Sequence, residues 1–169
     1  ADVVRLLLEH GADVGARSVS HRVPSWLGTG NAFESSVMLP HRGSTPLLFA
    51  ARHGRIDSAR LLLDAGADVN EVAPNGESAL VLASFSGQGQ FAAFLLERGA
   101  NPNGAVAGYT ALHTAVSRGD LELVKALFTH GADPNSRITK GSRQQRNLNW
   151  YGLSGSLAGA RRMRWRRAS

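Results

Sequence analysis

The chain has 169 residues, with 19 Lys and Arg, 13 Asp and Glu, six His and no cysteine, a length that fits one compact domain. The missing Cys excludes disulfide frameworks, thiolate metal sites and cysteine nucleophiles together, and no apolar run approaches the roughly 18–20 residues that span a bilayer. The net charge of +6 misleads: residues 136–169 hold nine basic and no acidic residues, whereas residues 43–135 hold six basic against nine acidic.

An internal repeat organises the predicted elements. Gly-Ala-Asp/Asn recurs at Gly11, Gly66, Gly99 and Gly131, with spacings of 55, 33 and 32. Thr45-Pro-Leu, Ser78-Ala-Leu and Thr110-Ala-Leu each stand 21 residues before such a glycine. A further glycine follows each Thr or Ser by nine residues, at Gly54, Gly87 and Gly119. Three landmarks in one register define a unit of 33 residues.

In chain order, residues 1–17 read as the second helix and exit turn of an incomplete leading repeat, so the sequence is expected to open partway into a unit. Residues 18–42 follow as an insertion loop. Its excess over the repeat is 22 residues, 18–39, carrying Trp26, Leu27, Phe33, Val37, Met38 and Leu39. That much apolar content predicts that part of the insertion packs on the stack. Residues 43–137 hold three complete repeats. In each, Thr45, Ser78 or Thr110 is an N-cap type whose hydroxyl accepts from an orphan backbone N–H, and Pro46 suits the first helical position.

Each first helix is expected to stop at its glycine landmark. Second helices are predicted over about Ile56–Ala65, Gln90–Arg98 and Leu121–His130, from apolar residues at helical spacing. Gly66, Gly99 and Gly131 then end them in the left-handed conformation, and turn-rich connectors such as Asp68–Gly76 follow. Gly89 stands where the neighbouring repeats have Ile56 and Leu121. It is expected to forfeit helix propensity of about 1 kcal/mol and apolar burial of roughly 1.5–3 kcal/mol. Residues 138–169 form an irregular basic tail that loses the register at Arg161; a truncation or frame error is the expected reason, and a largely disordered or poorly packed segment the expected state.

Gly43-Ser-Thr-Pro-Leu47, Gly108-Tyr-Thr-Ala-Leu-His113 and the Gly-Ala-Asp-x-Asn ends at Gly66–Asn70 and Gly131–Asn135 resemble the ankyrin repeat. The resemblance covers residues 43–137 and implies an all-α solenoid of helix-turn-helix pairs with projecting connectors. It also implies that His113 bonds the Thr110 hydroxyl and braces the turn.

The residues themselves supply no catalytic motif. There is no phosphate-binding Gly-x-x-x-x-Gly-Lys loop, no His-Glu-x-x-His pair and no Gly-x-Ser-x-Gly elbow, so no catalytic residue, cofactor site or metal site is assigned. His10 and His130 precede helix-ending glycines, where a cation favours the dipole. His21 and His41 have no third ligand at a useful spacing. The ankyrin resemblance implies a non-catalytic scaffold that binds a protein partner, with no small-molecule substrate and no membrane. The implied surface is concave, with Arg52, His53, Phe85, Ser86, Ser117 and Arg118 on first helices. On the turns it has Ser44, Asn75, Glu77, Ala107 and Tyr109.

The rival reading is nucleic-acid or acidic-partner binding through the tail, where Arg161, Arg162, Arg164, Arg166 and Arg167 surround Trp165. The lost register weighs against it. Two unfinished ends predict marginal stability or self-association.

Overall fold

The computed structural model describes residues 1–18 and 43–139; the apolar insertion residues, His21, His41 and the tail from residue 140 lie outside the described residues. The described residues form seven α-helices and no sheet, with one isolated bridge between Val72 and Ser78. They are α1 Asp2–Glu9, α2 Pro46–His53, α3 Ile56–Asp64, α4 Ala79–Phe85, α5 Gly89–Glu97, α6 Ala111–Arg118 and α7 Leu121–Thr129. The second helices start and stop within a residue of the predicted limits.

Helix starts follow from the cap residues. The Thr45 hydroxyl accepts from the Leu48 N–H at 3.4 Å and the Ser78 hydroxyl from the Val81 N–H at 3.3 Å. Pro46 occupies the first turn of α2, where its missing donor leaves nothing unbonded. Asp120 caps α7, its Oδ1 accepting from the Leu123 N–H at 3.0 Å. The second helices end at Gly66, Gly99 and Gly131 with φ of 97°, 88° and 85°, the left-handed geometry that a side chain resists.

The helices stack in two layers. First helices α2, α4 and α6 pack in a row, each also against its own second helix, and α1 lies on α3. The core is small and mostly aliphatic: Leu47, Leu48, Leu80, Val81, Leu95 and Leu127 are fully buried together with Phe91, and Ala51, Ala83 and Ala115 let first helices approach. Phe91 and Phe94 meet edge to face, centroids 6.1 Å apart. Arg60 and Arg98 reach over the Phe94 ring at 5.5 and 5.3 Å, and Arg98 pairs with Asp64 at 2.9 Å. Side chains thereby join α3 to α5.

Polar bonds between successive connectors stitch the layers. Asn70 Oδ1 accepts from the Asn101 N–H at 2.8 Å and its Nδ2 donates to the Gly99 carbonyl at 3.5 Å. One repeat on, Asn103 accepts from the Asp133 N–H at 2.8 Å and donates to the Gly131 carbonyl at 2.9 Å. In the leading repeat Gly15 holds this register position and has no side chain with which to bond Gly66 and Asp68. No residue of α1 is buried.

The insertion is spliced into a connector tip. Between Ala73 and Gly76 the chain turns through Pro74 and Asn75, with Ala73 N–H bonded to Glu77 O at 2.9 Å and Gly76 N–H to Ala73 O at 2.8 Å. Ser18 and Gly43 reproduce both bonds, Ser18 N–H to Ser44 O at 2.9 Å and Gly43 N–H to Ser18 O at 2.8 Å. Residues 19–42 thus stand in the chain where another repeat has two residues. Arg17 fastens the junction, its Nη1 donating to the carbonyls of Gly43 at 2.8 Å and Val72 at 3.3 Å.

The structure corrects the expectation for Gly89. Of its register partners, Ile56 is half-buried against the core and Leu121 is 62% exposed, so the position lies at the core's edge and less burial is forfeited than at a fully buried site. A Cβ on Gly89 would instead come within 2.6 Å of the Asp120 carboxylate that caps α7. The glycine makes room for that cap.

Candidate functional site

Two groups of the sequence-selected residues are brought together. At the connector tips, the Tyr109 hydroxyl donates to Glu77 Oε1 at 2.7 Å. Asn75 Nδ2 donates to Glu77 Oε2 at 2.8 Å, and Asn75 Oδ1 accepts from the Glu77 N–H at 3.1 Å. This chain of bonds fixes three side chains from two repeats in one arrangement. Burial, and after it the Glu77 carboxylate, pushes the Tyr109 phenol far above its ordinary pKa, so it remains a donor.

At the helix ends, Arg118 reaches back across one repeat. Its Nη1 donates to the Phe85 carbonyl at 3.0 Å, and the guanidinium lies over Gly87, whose φ of 74° and lack of Cβ admit it. A cation at the last carbonyls of α4 also suits that helix's dipole. Phe85 is half-buried, while Ser117 and Arg118 are exposed. Arg52, His53, Ser86 and Ser117 make no side-chain hydrogen bond or ion pair among the described residues; Arg52 and Ser86 are half-buried and His53 is exposed.

Ser44 departs from the expectation of a surface turn position. It is buried, 6% exposed, because the Ser18–Ser44 bonds close the insertion's two ends over it. Ala107, on the equivalent turn of the last complete repeat, is half-buried.

Three of the histidines, His10, His113 and His130, are structural. His113 Nδ1 accepts from the Thr110 N–H at 3.1 Å and lies 2.8 Å from the Thr110 hydroxyl, as the resemblance implied. The Ser136 backbone holds the ring as well; burial lowers the His113 pKa and this bond partly offsets it. His10 and His130 each bond a last-turn carbonyl through Nδ1 at 2.8 Å. No group of three metal-ligating side chains forms among the described residues, and none of their helices is long and apolar enough to cross a membrane.

Sequence reasoning passed over Glu71. Its carboxylate accepts from the Thr45 hydroxyl in a repeat whose third helical residue is Leu48 where His113 stands later. The signal was available: Glu71, Gly104 and Ser136 share one register position.

The paired helix rows and the bonded connectors define a helical repeat solenoid. A family model described as ankyrin repeats, in three copies, matches residues 16–105 and 70–138, and the chain belongs to the ankyrin-repeat family. It is similar to the B-cell lymphoma 3 protein homolog of Mus musculus, 36% identical over 149 residues, covering 78% of this chain and 33% of that protein. A putative ankyrin repeat-containing protein of Treponema pallidum is 37% identical over 102 residues, 59% of this chain and 34% of its own length. The ankyrin repeat and KH domain-containing protein mask-1 of Caenorhabditis elegans is 35% identical over 141 residues, 79% of this chain and 4% of its own. The chain therefore spans at most about a third of these relatives. Ankyrin repeats are generally protein–protein interaction modules, and some relatives join them to other domains, as in a tyrosine-protein kinase of Hydra vulgaris.

Proposed function

We propose that this chain is a non-catalytic recognition module whose protein partner lies across the first-helix ends and connector tips. Arg52, His53, Phe85, Ser86, Ser117 and Arg118 would contact it from the helices, and Asn75, Glu77 and Tyr109 from the tips. The Tyr109–Glu77–Asn75 bonds carry this reading. They hold an aromatic and a carboxylate rigid at the tips beforehand, which lowers the ordering cost of association. Aromatic and Arg side chains are also the types that dominate interface energies.

A photo-crosslinking residue placed at Ser86 or Ser117 tests the reading, with Glu97 and Lys125 on the second-helix layer as controls. A protein crosslinked from the first pair and not the second is the expected result. Phe85→Ala and Tyr109→Ala should then weaken that partner by at least about 2 kcal/mol each, with the unfolding midpoint measured alongside. Unchanged affinity in both variants would sink the assignment.

A further inference from the structure

We infer that the first-helix face takes an extended, acidic polypeptide segment as its occupant, an inference that rests on the recognition face proposed above. The sorting of charge carries it. Helices α2, α4 and α6 read PLLFAARH, ALVLASF and ALHTAVSR, with no Asp or Glu. All nine acids of residues 43–135 lie on second helices, their caps or the connectors. The ends of the first helices carry Arg52, His53 and Arg118 instead.

Of the two acids adjoining this face, Glu77 has both carboxylate oxygens engaged and Asp120 has one. Glu77 accepts from Tyr109 and Asn75, and Asp120 caps α7. Like charges set against a partner cost affinity, and complementary ones select it. A face whose helices carry Arg and His and no carboxylate therefore favours an acidic occupant over a basic one.

Geometry sets the spacing. Arg118 extends over Gly87, so its charge sits about one repeat from Arg52 rather than two. Packed helices lie about 8–10 Å apart, which an extended chain covers in about three residues. Arg118 uses one N–H on the Phe85 carbonyl, and the rest of its planar fork suits a carboxylate. The fitting segment has acidic residues two to four apart, with an apolar residue between them to meet the half-buried Phe85.

A random-peptide display library panned on the full chain tests this. The selected peptides are then compared on Arg52→Glu/Arg118→Glu and, as a control on the second-helix layer, on Arg5→Glu/Lys125→Glu. The basic tail attracts acids by itself, and the paired variants subtract that attraction. The expected result is enrichment of peptides with the stated acid spacing. Their affinity falls at least about tenfold on the first variant and stays unchanged on the second. Arg52→Gln/Arg118→Gln repeats the measurement should the charge reversal unfold the chain. Peptides that weaken equally on both variants, or an enriched set without acids, would overturn the inference. Where neutral peptides lose affinity on Phe85→Ala, the recognition face stands and only its acidic preference fails. Where no selected peptide responds to Phe85→Ala or Tyr109→Ala, the face itself fails.

Discussion

The Thr45 hydroxyl donates to the Glu71 carboxylate, and the repeat register makes this pair the counterpart of Thr110 with His113 and Ser136. Both arrangements tie a helix N-cap to the connector that follows its repeat. In one the tie is a carboxylate from the connector; in the other it is an imidazole from the helix. Removing the acceptor strands a buried hydroxyl, so Glu71→Ala should cost about 1–2 kcal/mol. Glu71→Gln retains an acceptor and should cost less than about 1 kcal/mol. Urea midpoints for the two variants check this, and equal losses would contradict it.

The two ties should respond to pH in opposite senses. Burial raises the Glu71 pKa, although Thr45 and Arg17 pull it down. A raised folded-state value gives stability that is complete below the ordinary 4.5 and is lost as pH rises through the folded value. Burial lowers the His113 pKa, so its contribution is present above the ordinary 6.5 and is lost as pH falls through the lowered value. Between pH 7 and about 5, Glu71→Gln should therefore steepen the loss of stability and His113→Leu should flatten it. Midpoints measured across that range would show either slope directly.

The asparagine ladder should be uneven. Asn103 donates to Gly131 at 2.9 Å, whereas Asn70 donates to Gly99 at 3.5 Å. Asn103→Ala should cost about 1–1.5 kcal/mol and Asn70→Ala less. Asn103→Asp should be no better than alanine, because it sets a carboxylate against a carbonyl. A larger loss at Asn70 would reverse this ranking.

Gly15 interrupts the same ladder at the leading repeat. Gly15→Asn should supply an acceptor for the Asp68 N–H and a donor for the Gly66 carbonyl. The expected gain is about 0.5–1 kcal/mol, read as slower amide exchange within α1. Unchanged exchange there would show that the rung does not form.

Replacing residues 19–42 by Pro-Asn should leave a folded chain, since Ser18 and Gly43 already hold the geometry of Ala73 and Gly76. Shortening the loop also lowers its closure entropy. Retained helical circular dichroism and cooperative unfolding are expected; loss of cooperativity would make the inserted segment part of the fold.

The repeat length, both helices of each complete unit, the first-helix caps and the glycine ends were legible in the sequence. Each depends on local chemistry: a hydroxyl three residues before an orphan N–H, a Pro at a first turn, a left-handed glycine. Contacts between repeats were not legible, because they join residues about 30 positions apart that periodicity treats as separate. Only the stacked structure pairs Asn70 with Asn101, sets the Asp120 cap over Gly89, and turns Arg118 back onto the Phe85 carbonyl. Ser44 shows the same limit. Its residue type and turn position indicate a solvated surface, and closure of the chain between Ser18 and Gly43 buries it. Local sequence set what each repeat is, and packing between repeats decided which side chains remain available to a partner.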